Sequence, residues 1–335
     1  MNRPTLIPGL PRIWRRPGEL QIGSDPARAL LLHLPDPRCE RVLDLLDGTR
    51  SERLVTIRAA EFGVTAAECR ALLDALCAAG LTLPATALVP HTLPAEQRQR
   101  LTGEAAALAL RGVARPARSL RRRAEARVVI SGRGRLGAPI AVALAQAGVG
   151  HVRPEIGGVV RADELAAGPL PGGDVGRPRR EAIIDALSRA APKSSDAVRR
   201  GSPSLLVQLD HDEPTALVSA ALTGRRQPHL AVTIREGVAV IGPLVPAAGR
   251  PCLNCLDLHR RERDAGWPGS VAAASGPEPC TVPTLLAATA YAVGEVLMFL
   301  DGAVPQTVGA TAEITAPGRV RRRTWGPHPA CSCAR

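Results

Sequence analysis

The chain has 335 residues, of which 45% are hydrophobic, so it is long enough for two domains and disorder is not expected. Its formal charge of +12 would ordinarily indicate nucleic acid or an acidic membrane, but Lys193 is the only lysine and Ala, Gly and Pro are abundant, which indicates a coding bias. Aromatic residues make up only 2%, which leaves no evident stacking platform for single-stranded nucleic acid. No N-terminal stretch has the pattern of a signal peptide, so a cytoplasmic protein is expected.

The N-terminal part of the chain predicts a small α+β domain. Residues 13–34 contain two short extended runs around a Pro-Gly turn and a third run after an Asp-Pro pair, which predicts a three-stranded sheet. Helical patterns begin at Asp36, and Thr65 opens a third helix in which Glu68 completes a capping box. Three helices with a short sheet predict a winged-helix-like domain over residues 1–83.

The surface charge of the third helix distinguishes two possible functions of such a domain, DNA binding and peptide binding. Cys69 and Cys77 lie on its apolar stripe, so we interpret them as core residues. Its charged residues are Glu68, Arg70 and Asp74. That surface is close to neutral, which argues against a DNA-binding regulator. The same shape also binds peptides, when an extended segment adds a strand to the edge of the sheet.

Residues 84–126 are rich in Pro, Ala and Arg, and we predict a linker that carries one helix between Pro94 and Leu110. Its basic run, Arg118 to Arg123, is typical of a solvated face. From residue 127 to residue 335 the pattern changes to alternating strands and helices, which predicts an α/β domain with a mostly parallel sheet.

A glycine-rich turn organises this second domain. Val128 to Ile130 form an apolar run typical of a strand buried on both faces, and an alanine-rich helical pattern follows. Between them stand Gly132, Gly134 and Gly137 in G-x-G-x-x-G spacing. In that context the first glycine permits a tight turn, the second lets a phosphate approach the backbone, and the third lets the helix pack on the strand. The spacing therefore predicts a nucleotide-binding fold.

Further along, the pattern places acidic residues where α/β sheets bind ligands. Residues 204–209 form a second buried strand, after which Asp210 and Asp212 follow directly. The run 151–160 is a poor strand because Pro154 interrupts it. The apolar run from Thr281 to Leu300 has membrane length, but its Pro, Thr and Glu residues favour a buried core helix.

Two cysteine pairs predict a metal site. Cys252 and Cys255 form a C-x-x-C pair, and Cys331 and Cys333 form a C-x-C pair in a polar tail. Four thiolates suit a structural zinc ion that leaves no position open for substrate. His259 and His328 lie near the pairs and could replace a sulfur, although we interpret them as neighbours of the site.

Cys280 is the remaining cysteine of the second domain. It could act as a thioester-forming nucleophile, but the sequence shows no activating partner for it, so this role is the weaker interpretation of Cys280.

The glycine turn, the segment from Asp174 to Ile183, the strand-end acids and the cysteine pairs together resemble the ThiF/MoeB superfamily of ubiquitin-activating-type adenylyltransferases. With its N-terminal domain, the chain is similar to actinobacterial ThiF-like proteins of azol(in)e peptide (TOMM) biosynthesis. The resemblance implies that the N-terminal domain recognises the leader of a precursor peptide, that a cyclodehydratase-type enzyme is a partner, and that the protein is a homodimer without a membrane role.

The resemblance also implies cofactors and site residues. Members of the superfamily bind ATP and magnesium and activate a carboxylate as an acyl-adenylate. By resemblance, the three glycines of the turn line the phosphates, Asp210 or Asp212 holds magnesium, and the four paired cysteines bind zinc.

The chain departs from the family at several charged positions. The acid pair that holds the ribose is reduced to Glu155, and the family's arginine-finger motif is replaced by RADELAAG. Arg177 or Arg179 stands where the family has a catalytic lysine, and only Lys193 could replace it. Because nucleotidyl transfer depends on positioned charge, we expect adenylylation to be weak or lost.

Four functions remain open at this point. The first is a ThiF-like protein with a degenerate site that presents a peptide to a modifying enzyme, and the second is an active adenylyltransferase. The third is an NAD-dependent oxidoreductase, since Glu155 lies at a suitable distance for a ribose contact. The fourth is the DNA-binding regulator, for which the neutral third helix provides little support.

Overall fold

The computed structural model describes residues 3–34, 36–192, 201–269 and 276–334. The chain divides into two compact units, Met1–Arg121 and Arg122–Arg335. Lys193 lies outside the described residues.

The first unit contains two antiparallel sheets. The predicted three-stranded sheet is confirmed, with strands β2 (Arg12–Arg16), β3 (Glu19–Ile22) and β4 (Leu30–His33) in that order. The second sheet, in which β1 (Pro4–Leu6) pairs with β5 (Thr82–Pro84), was not predicted. Strands of three residues carry too short a pattern to be recognised.

The first unit contains α1 (Arg41–Asp44), α2 (Glu52–Ala60), α3 (Ala66–Ala78), α4 (Ala85–Leu88) and α5 (Ala95–Leu110), and α6 (Pro116–Glu125) crosses the boundary between the units. Helix α3 packs against β4 and β5, and α4 packs against β1 and β5. The predicted capping box of α3 is confirmed, because Thr65 Oγ1 accepts from the N–H of Glu68 and the N–H of Thr65 donates to the Glu68 carboxylate. Cys69 is buried as predicted. The core position predicted for Cys77 is wrong, because this residue is exposed near the end of the helix.

The range 84–126 was predicted to carry one helix, but the structure has three, α4 to α6. The prediction of a solvated basic face also fails at Arg123, which is buried and forms an ion pair with Asp301 at 2.6 Å. An arginine at the end of an amphipathic helix can turn inward when a carboxylate is available there, and sequence periodicity does not reveal that partner.

The second unit is built on a mixed seven-stranded sheet with the order β12-β11-β10-β9-β8-β6-β7. Strands β7, β6, β8 and β9 run parallel, and β9 to β12 pair antiparallel. The strands are β6 (Arg127–Gly132), β7 (His151–Ile156), β8 (Leu205–Gln208), β9 (His229–Arg235), β10 (Val238–Val245), β11 (Ala310–Ala316) and β12 (Arg319–Thr324). The predicted α/β class is therefore confirmed.

The helices of the second unit are α7 (Gly137–Gln146), α8 (Arg179–Ala190), α9 (Thr215–Gly224), α10 (Leu253–Arg263) and α11 (Val282–Asp301). Among the described residues, only α11 is long and apolar enough to cross a membrane, a test that core helices of globular proteins also pass. It packs against α7, β10 and β11, as predicted for a core helix. Its buried Glu295 accepts hydrogen bonds from the N–H and the hydroxyl of Thr307, at 2.7 and 2.5 Å.

Two strand predictions are corrected. The first part of the run 151–160 forms a regular strand, β7 (His151–Ile156), in spite of Pro154, because β7 lies at the edge of the sheet, where a missing N–H is tolerated. Strand β6 was predicted to be buried on both faces, but Val129 is only half-buried and lines a cleft together with Leu206 of β8. This open face of the parallel strands belongs to the candidate site.

Candidate functional site

The predicted glycine turn joins β6 to α7. Gly132 and Gly134 have φ angles of 113° and 117°, which favour glycine. A Cβ atom on Gly132 would lie 2.5 Å from the carbonyl oxygen of Asp210, and one on Gly137 would lie 2.3 Å from Cδ1 of Ile156. The first glycine therefore admits the neighbouring backbone, and the third lets α7 pack on β7.

The carboxylate of Glu278 lies directly against this turn. Its Oε2 accepts a hydrogen bond from the backbone N–H of Arg135 at 3.0 Å, and its Oε1 would be 3.2 Å from a Cβ on Gly134. Burial raises the pKa of Glu278, although this N–H bond opposes the shift. A negative group thus occupies the place in front of α7 where such a turn receives a phosphate. This contact could not be predicted from local sequence, because its two residues are 143 positions apart.

Asp210 and Asp212, the predicted magnesium ligands, lie at the carboxyl end of β8. The hydroxyl of Thr233 donates to Asp210 Oδ1 at 2.5 Å, and the carbonyl oxygen of Asp210 accepts the N–H of Arg133 at 2.9 Å. Asp212 forms an ion pair with the guanidinium of Arg133. Both carboxylates therefore have partners within the chain.

Glu155, the predicted ribose contact, lies near the carboxyl end of β7, directly beside Ser131 of β6. Its side chain is exposed and forms an ion pair with Arg153 of the same strand. This position is compatible with a ribose contact in either an adenylyltransferase or an NAD-dependent enzyme.

Arg177, one of the two predicted catalytic arginines, bridges two carboxylates. It contacts Asp185 at 2.8 Å and Asp174 at 2.6 Å, and these hydrogen bonds raise its pKa. Its guanidinium is therefore held by acids of its own segment and the following helix.

Arg179, the other predicted catalytic arginine, lines the cleft but is fully engaged. Its Nε and Nη2 donate to the buried carboxylate of Glu164, at 2.8 and 2.6 Å. Its remaining donors bind the carbonyl oxygens of Gly157 and Val159. Only 12% of its side chain is exposed. Through these hydrogen bonds Arg179 holds the loop after β7 in place.

One cleft of about 1100 Å³ lies over the carboxyl ends of the parallel strands, and its wall includes Gly132, Arg133, Glu155, Arg179, Asp210 and Asp212. Three other predicted site residues, Gly134, Gly137 and Arg177, do not line it. The sequence did not reveal which carboxylates pair with the arginines of this wall.

The paired cysteines converge in three dimensions. Cys252 Sγ lies 3.8 Å from Cys255 Sγ and 3.6 Å from Cys331 Sγ, and Cys255 Sγ lies 3.3 Å from Cys333 Sγ. Tetrahedral zinc with bonds of about 2.3 Å separates its sulfurs by about 3.8 Å. Hydrogen bonds from Cys333 and from Asn254 lower the pKa of Cys331 to about 7 against the effect of its burial, whereas burial raises the pKa of Cys255 and of Cys333, so the fit to a metal rests on the distances. The four residues therefore fit a structural zinc ion.

His259 and His328 form a separate group with Glu262 beside the cysteines. Nδ1 of His328 accepts the N–H of Ala330 at 3.1 Å, so a neutral ring carries its proton on Nε2, which lies 2.8 Å from the Glu262 carboxylate. With its proton on Nε2 and its Nδ1 lone pair bound to the N–H of Ala330, the ring of His328 is fully engaged within the chain. Both histidines thus lie beside the sulfur site, as predicted, and support the tail that carries it.

Cys280 lies just before α11, near the glycine turn. Its carbonyl oxygen accepts from Nη1 of the buried Arg135 at 3.1 Å. Burial raises the pKa of its thiol. This environment is not the electropositive one that activates a nucleophilic cysteine.

The second unit combines a mixed sheet, whose parallel strands carry the glycine turn and the strand-end acids, with the cysteine cluster, and the α+β unit precedes it in the chain. No family model matches the chain, and no curated protein matches it.

Three solved structures show which proteins share this fold. Escherichia coli MccB with AMPCPP and MccA is 16% identical, with a TM-score of 0.66, and covers 99% of both chains. The microcin C7 biosynthetic enzyme MccB in complex with N-formylated MccA is 16% identical, with a TM-score of 0.64 over 98% of this chain and 99% of that one. PaaA is also 16% identical, with a TM-score of 0.64 over 95% of this chain and 98% of that one. The resemblance predicted from sequence is therefore confirmed for the fold.

Proposed function

We propose that this chain is a cytoplasmic ThiF-like protein that binds a ribosomal precursor peptide and presents it to a partner modifying enzyme, with weak or no adenylylation of its own. One observation carries the proposal: Arg133, Arg153 and Arg179 of the cleft each bind a carboxylate of the chain itself. A guanidinium whose charge is already balanced by a carboxylate attracts a phosphate less strongly than an unpaired one.

The chemistry of nucleotidyl transfer explains why this pairing matters. Catalysis of this kind comes almost entirely from cations that are positioned to bind the phosphates and the charge that develops on them. At the glycine turn, Glu278 adds a negative charge that repels the phosphates of ATP. A nucleotide with magnesium at Asp210 or Asp212 therefore meets a site with few available cations.

Peptide binding is assigned to the first unit, at the edge strand β4. The N–H of Leu34 donates to Gly18 across the hairpin at 2.8 Å. Backbone groups alternate in direction along a strand, so those of Leu31 and His33 point away from β3. They provide donors and acceptors for an added strand, and the partly exposed Leu31 provides apolar surface.

The other edge of this sheet, β2, is less suitable for a guest strand. It is interrupted by a bulge after Trp14, and it contains three arginines, two of them exposed. Arg12 pairs with Asp44 at 2.6 Å, and the indole of Trp14 donates to Glu40 at 2.8 Å, so both side chains bind the neighbouring helices. Bulges and charges are typical of strand edges that avoid pairing.

The remaining parts of the proposal rest on the fit of the cysteines and on resemblance. Zinc bound by the cysteine cluster would fix the C-terminal tail to α10 and stabilise the second unit. A homodimer and a cyclodehydratase-type partner are proposed from the resemblance to TOMM proteins. The fold shared with MccB, which was crystallised together with MccA, supports a role in peptide biosynthesis.

The test uses the full-length protein and the precursor peptides encoded next to its gene. Fluorescence anisotropy should show micromolar binding of one labelled precursor at physiological salt, and ATP–pyrophosphate exchange with the same peptide should stay at background. Random duplex DNA serves as the competing ligand. If DNA binds and no peptide does, the first unit is a DNA reader and the proposal is wrong.

An active adenylyltransferase is the second candidate, because the glycine turn has the conformation for a close phosphate and MccB has been crystallised with AMPCPP. Robust exchange with a carboxylate-ended peptide would favour it. In that case Arg177 or Arg179 must leave its carboxylates to contact the phosphates, and Arg179→Ala should abolish exchange.

A further inference from the structure

A buried histidine lies at the edge of the sheet opposite to the glycine turn. His229 is the first residue of β9, and β9 runs parallel to β8 and β6. Gly132, the last residue of β6, begins the glycine turn, so His229 lies at the other end of the parallel strands. Only 1% of its surface is exposed. His229 is therefore separate from the residues of the candidate sites described above.

The hydrogen bonds of this ring fix its tautomer. Nδ1 lies 2.8 Å from the backbone carbonyl oxygen of Gln227. Because that oxygen can only accept, Nδ1 carries the proton of the neutral ring and Nε2 has the lone pair. Burial lowers the pKa of His229, which keeps the ring neutral near pH 7. Nε2 is itself buried and has no hydrogen-bond partner among the described residues, a state that costs stability until a donor reaches it.

His229 lines a cavity of about 260 Å³. Three segments enclose this cavity: the end of α9, the loop 246–250 after β10, and Ser332 with Cys333 of the C-terminal tail. Leu222 and Val245 give it apolar surface. Since a water molecule takes about 30 Å³ in the liquid, the cavity has room for a molecule of about ten non-hydrogen atoms. Apolar walls with a few polar groups are typical of small-molecule sites.

Arg226 contributes a positive charge to the same cavity. It directly follows the end of α9, which is closed by hydrogen bonds from the N–H of Arg226 to Thr223 and from the N–H of Gln227 to Leu222. Its φ angle is 49°, in the left-handed region. Glycine is favoured at this position of a helix end, so an arginine there strains the backbone. The chain therefore accepts strain at the residue that brings a guanidinium to the cavity.

We propose that this cavity binds a small organic acid that carries a hydroxyl group. The hydroxyl donates to Nε2 of His229, the apolar body lies against Leu222 and Val245, and the acid group pairs with the guanidinium of Arg226. An ammonium donor fits less well, because Arg226 repels it and the apolar walls desolvate it. A metal ion is also disfavoured, since the sulfur of Cys333 already faces that of Cys255 at 3.3 Å in the cysteine cluster.

The position of the cavity gives the bound acid a structural consequence. The loop 246–250 leads directly into Cys252, and the tail contains Cys331 and Cys333. A molecule in the cavity contacts both segments that carry the cysteines. Because it binds only the folded protein, it should raise Tm as its concentration increases. This site goes beyond the proposed function and does not depend on it.

The experiment titrates the full-length protein with 3-hydroxybenzoate and 4-hydroxybenzoate in a calorimeter. These two probes place the hydroxyl at different distances from the carboxylate, and each has about ten non-hydrogen atoms. We expect one of them to bind saturably at one site with a Kd below about 1 mM, the range for ligands of this size. The methyl ether of that probe lacks the donor and its methyl ester lacks the charge, so both should bind at least fivefold more weakly.

Variants separate a binding role from a structural one. His229→Asn keeps a donor for the carbonyl of Gln227 but lacks the second nitrogen, and it should bind the probe at least fivefold more weakly. In the wild type, the nitrogen-15 NMR signal of the unprotonated Nε2 should move when the probe is added. Arg226→Gly should lose affinity to the same extent and yet raise Tm, because glycine relieves the left-handed backbone. Its control is Arg225→Gln, which removes an exposed charge one position away, outside the cavity wall, and should bind like the wild type.

Four results would each overturn the inference: no saturable binding of either hydroxybenzoate, equal binding of the ether or the ester, wild-type affinity in His229→Asn or in Arg226→Gly, or an equal loss in Arg225→Gln. Because Arg226→Gly should be more stable than the wild type, its loss of binding is not explained by misfolding. The titrations contain no precursor peptide, so their outcome is independent of the anisotropy assay that tests the proposed function.

Discussion

The cysteine cluster and the glycine-turn cleft lie in the same unit, but their side chains are organised differently. In the cluster, four sulfurs from two distant segments face one another at 3.3 to 3.8 Å. In the cleft, Arg133, Arg153 and Arg179 lie along one sheet edge, and each faces a carboxylate of the chain itself rather than a common centre. The four sulfurs thus have the arrangement of one ligand set, whereas the charges of these three arginines are balanced pair by pair.

This difference concerns what the two groups of side chains are arranged to bind. Four cysteine sulfurs at these distances suit a tetrahedral metal ion. An arginine, by contrast, gains from any nearby carboxylate, so a site that no longer binds phosphate can keep its arginines as structural groups. The predictions below test each half of this comparison, beginning with the largest expected effect.

Removal of one sulfur should produce the largest loss. We expect Cys331→Ser to abolish a stoichiometry of one zinc per chain and to destabilise the protein by roughly 4 kcal/mol, a size typical of losing a structural metal. For a unit of this size that corresponds to a fall in Tm of about 10 °C. Metal analysis and thermal unfolding measure the two effects.

The matched control is Cys77→Ser, which changes an exposed cysteine that lies in the other unit. It should leave both the zinc content and Tm as in the wild type, and Cys69→Ser should act on Tm through packing alone. Wild-type protein purified without zinc would show that the cluster is not a metal site.

The second prediction concerns Arg179, which the sequence indicated as catalytic and the structure shows as a clamp on Glu164. Because it leaves a buried carboxylate without its partner, Arg179→Ala should destabilise the protein by about 3 kcal/mol. The double variant Arg179→Met, Glu164→Met should lose much less, since no buried charge remains. Denaturant unfolding measures both; an unchanged stability in Arg179→Ala would return this residue to the phosphate-binding role.

The sequence predicted most of the fold because its signals are local. The capping box at Thr65, the turn at Gly132 to Gly137 and the core helix from Thr281 each depend on residues within a few positions of one another. The predictions that were wrong, by contrast, depend on tertiary structure. Pro154 is tolerated because β7 is an edge strand, and no local pattern says where the edge of a sheet lies.

The distinction between local and tertiary signals also explains which features of the candidate sites could be predicted. Cysteine spacing identified the cluster, because each pair supplies two ligands from one segment. Spacing could not reveal that Glu278 faces Gly134 or that Arg179 is bound by Glu164, because an arginine's partner is set by the packing of loops. The residue types were thus predictable, whereas the pairing of their charges was not.

The third prediction tests the peptide edge. In Leu31→Pro the ring replaces an N–H that points away from the sheet, so folding should be little affected, while the guest strand loses one donor and meets the ring. We expect precursor affinity to fall by about 2 kcal/mol, roughly thirtyfold. Leu31→Val keeps the N–H and should bind normally in the same anisotropy assay. Equal binding by both variants would exclude β4 as the docking edge.

The smallest expected effect belongs to Glu278, and it tests whether the glycine turn itself is still able to bind a phosphate. Glu278→Gln keeps an acceptor for the N–H of Arg135 but removes the negative charge. We expect the affinity for AMPCPP with magnesium to rise by about 1 kcal/mol, roughly fivefold, in a calorimetric titration. Glu181→Gln, an exposed charge in the first turn of α8, should not change it.

The pH dependence of stability gives an independent measure of the same contact. Burial raises the folded-state pKa of Glu278 above its unfolded value, so the charged carboxylate costs stability at neutral pH. That cost should disappear as the pH falls through the raised pKa. The Glu278→Gln variant should therefore be at least as stable as the wild type at pH 7, and its advantage should shrink toward acidic pH in parallel thermal melts. If instead the wild type is the more stable protein at pH 7 and binds AMPCPP as well as the variant does, Glu278 is a structural ligand of the turn and does not compete with phosphate.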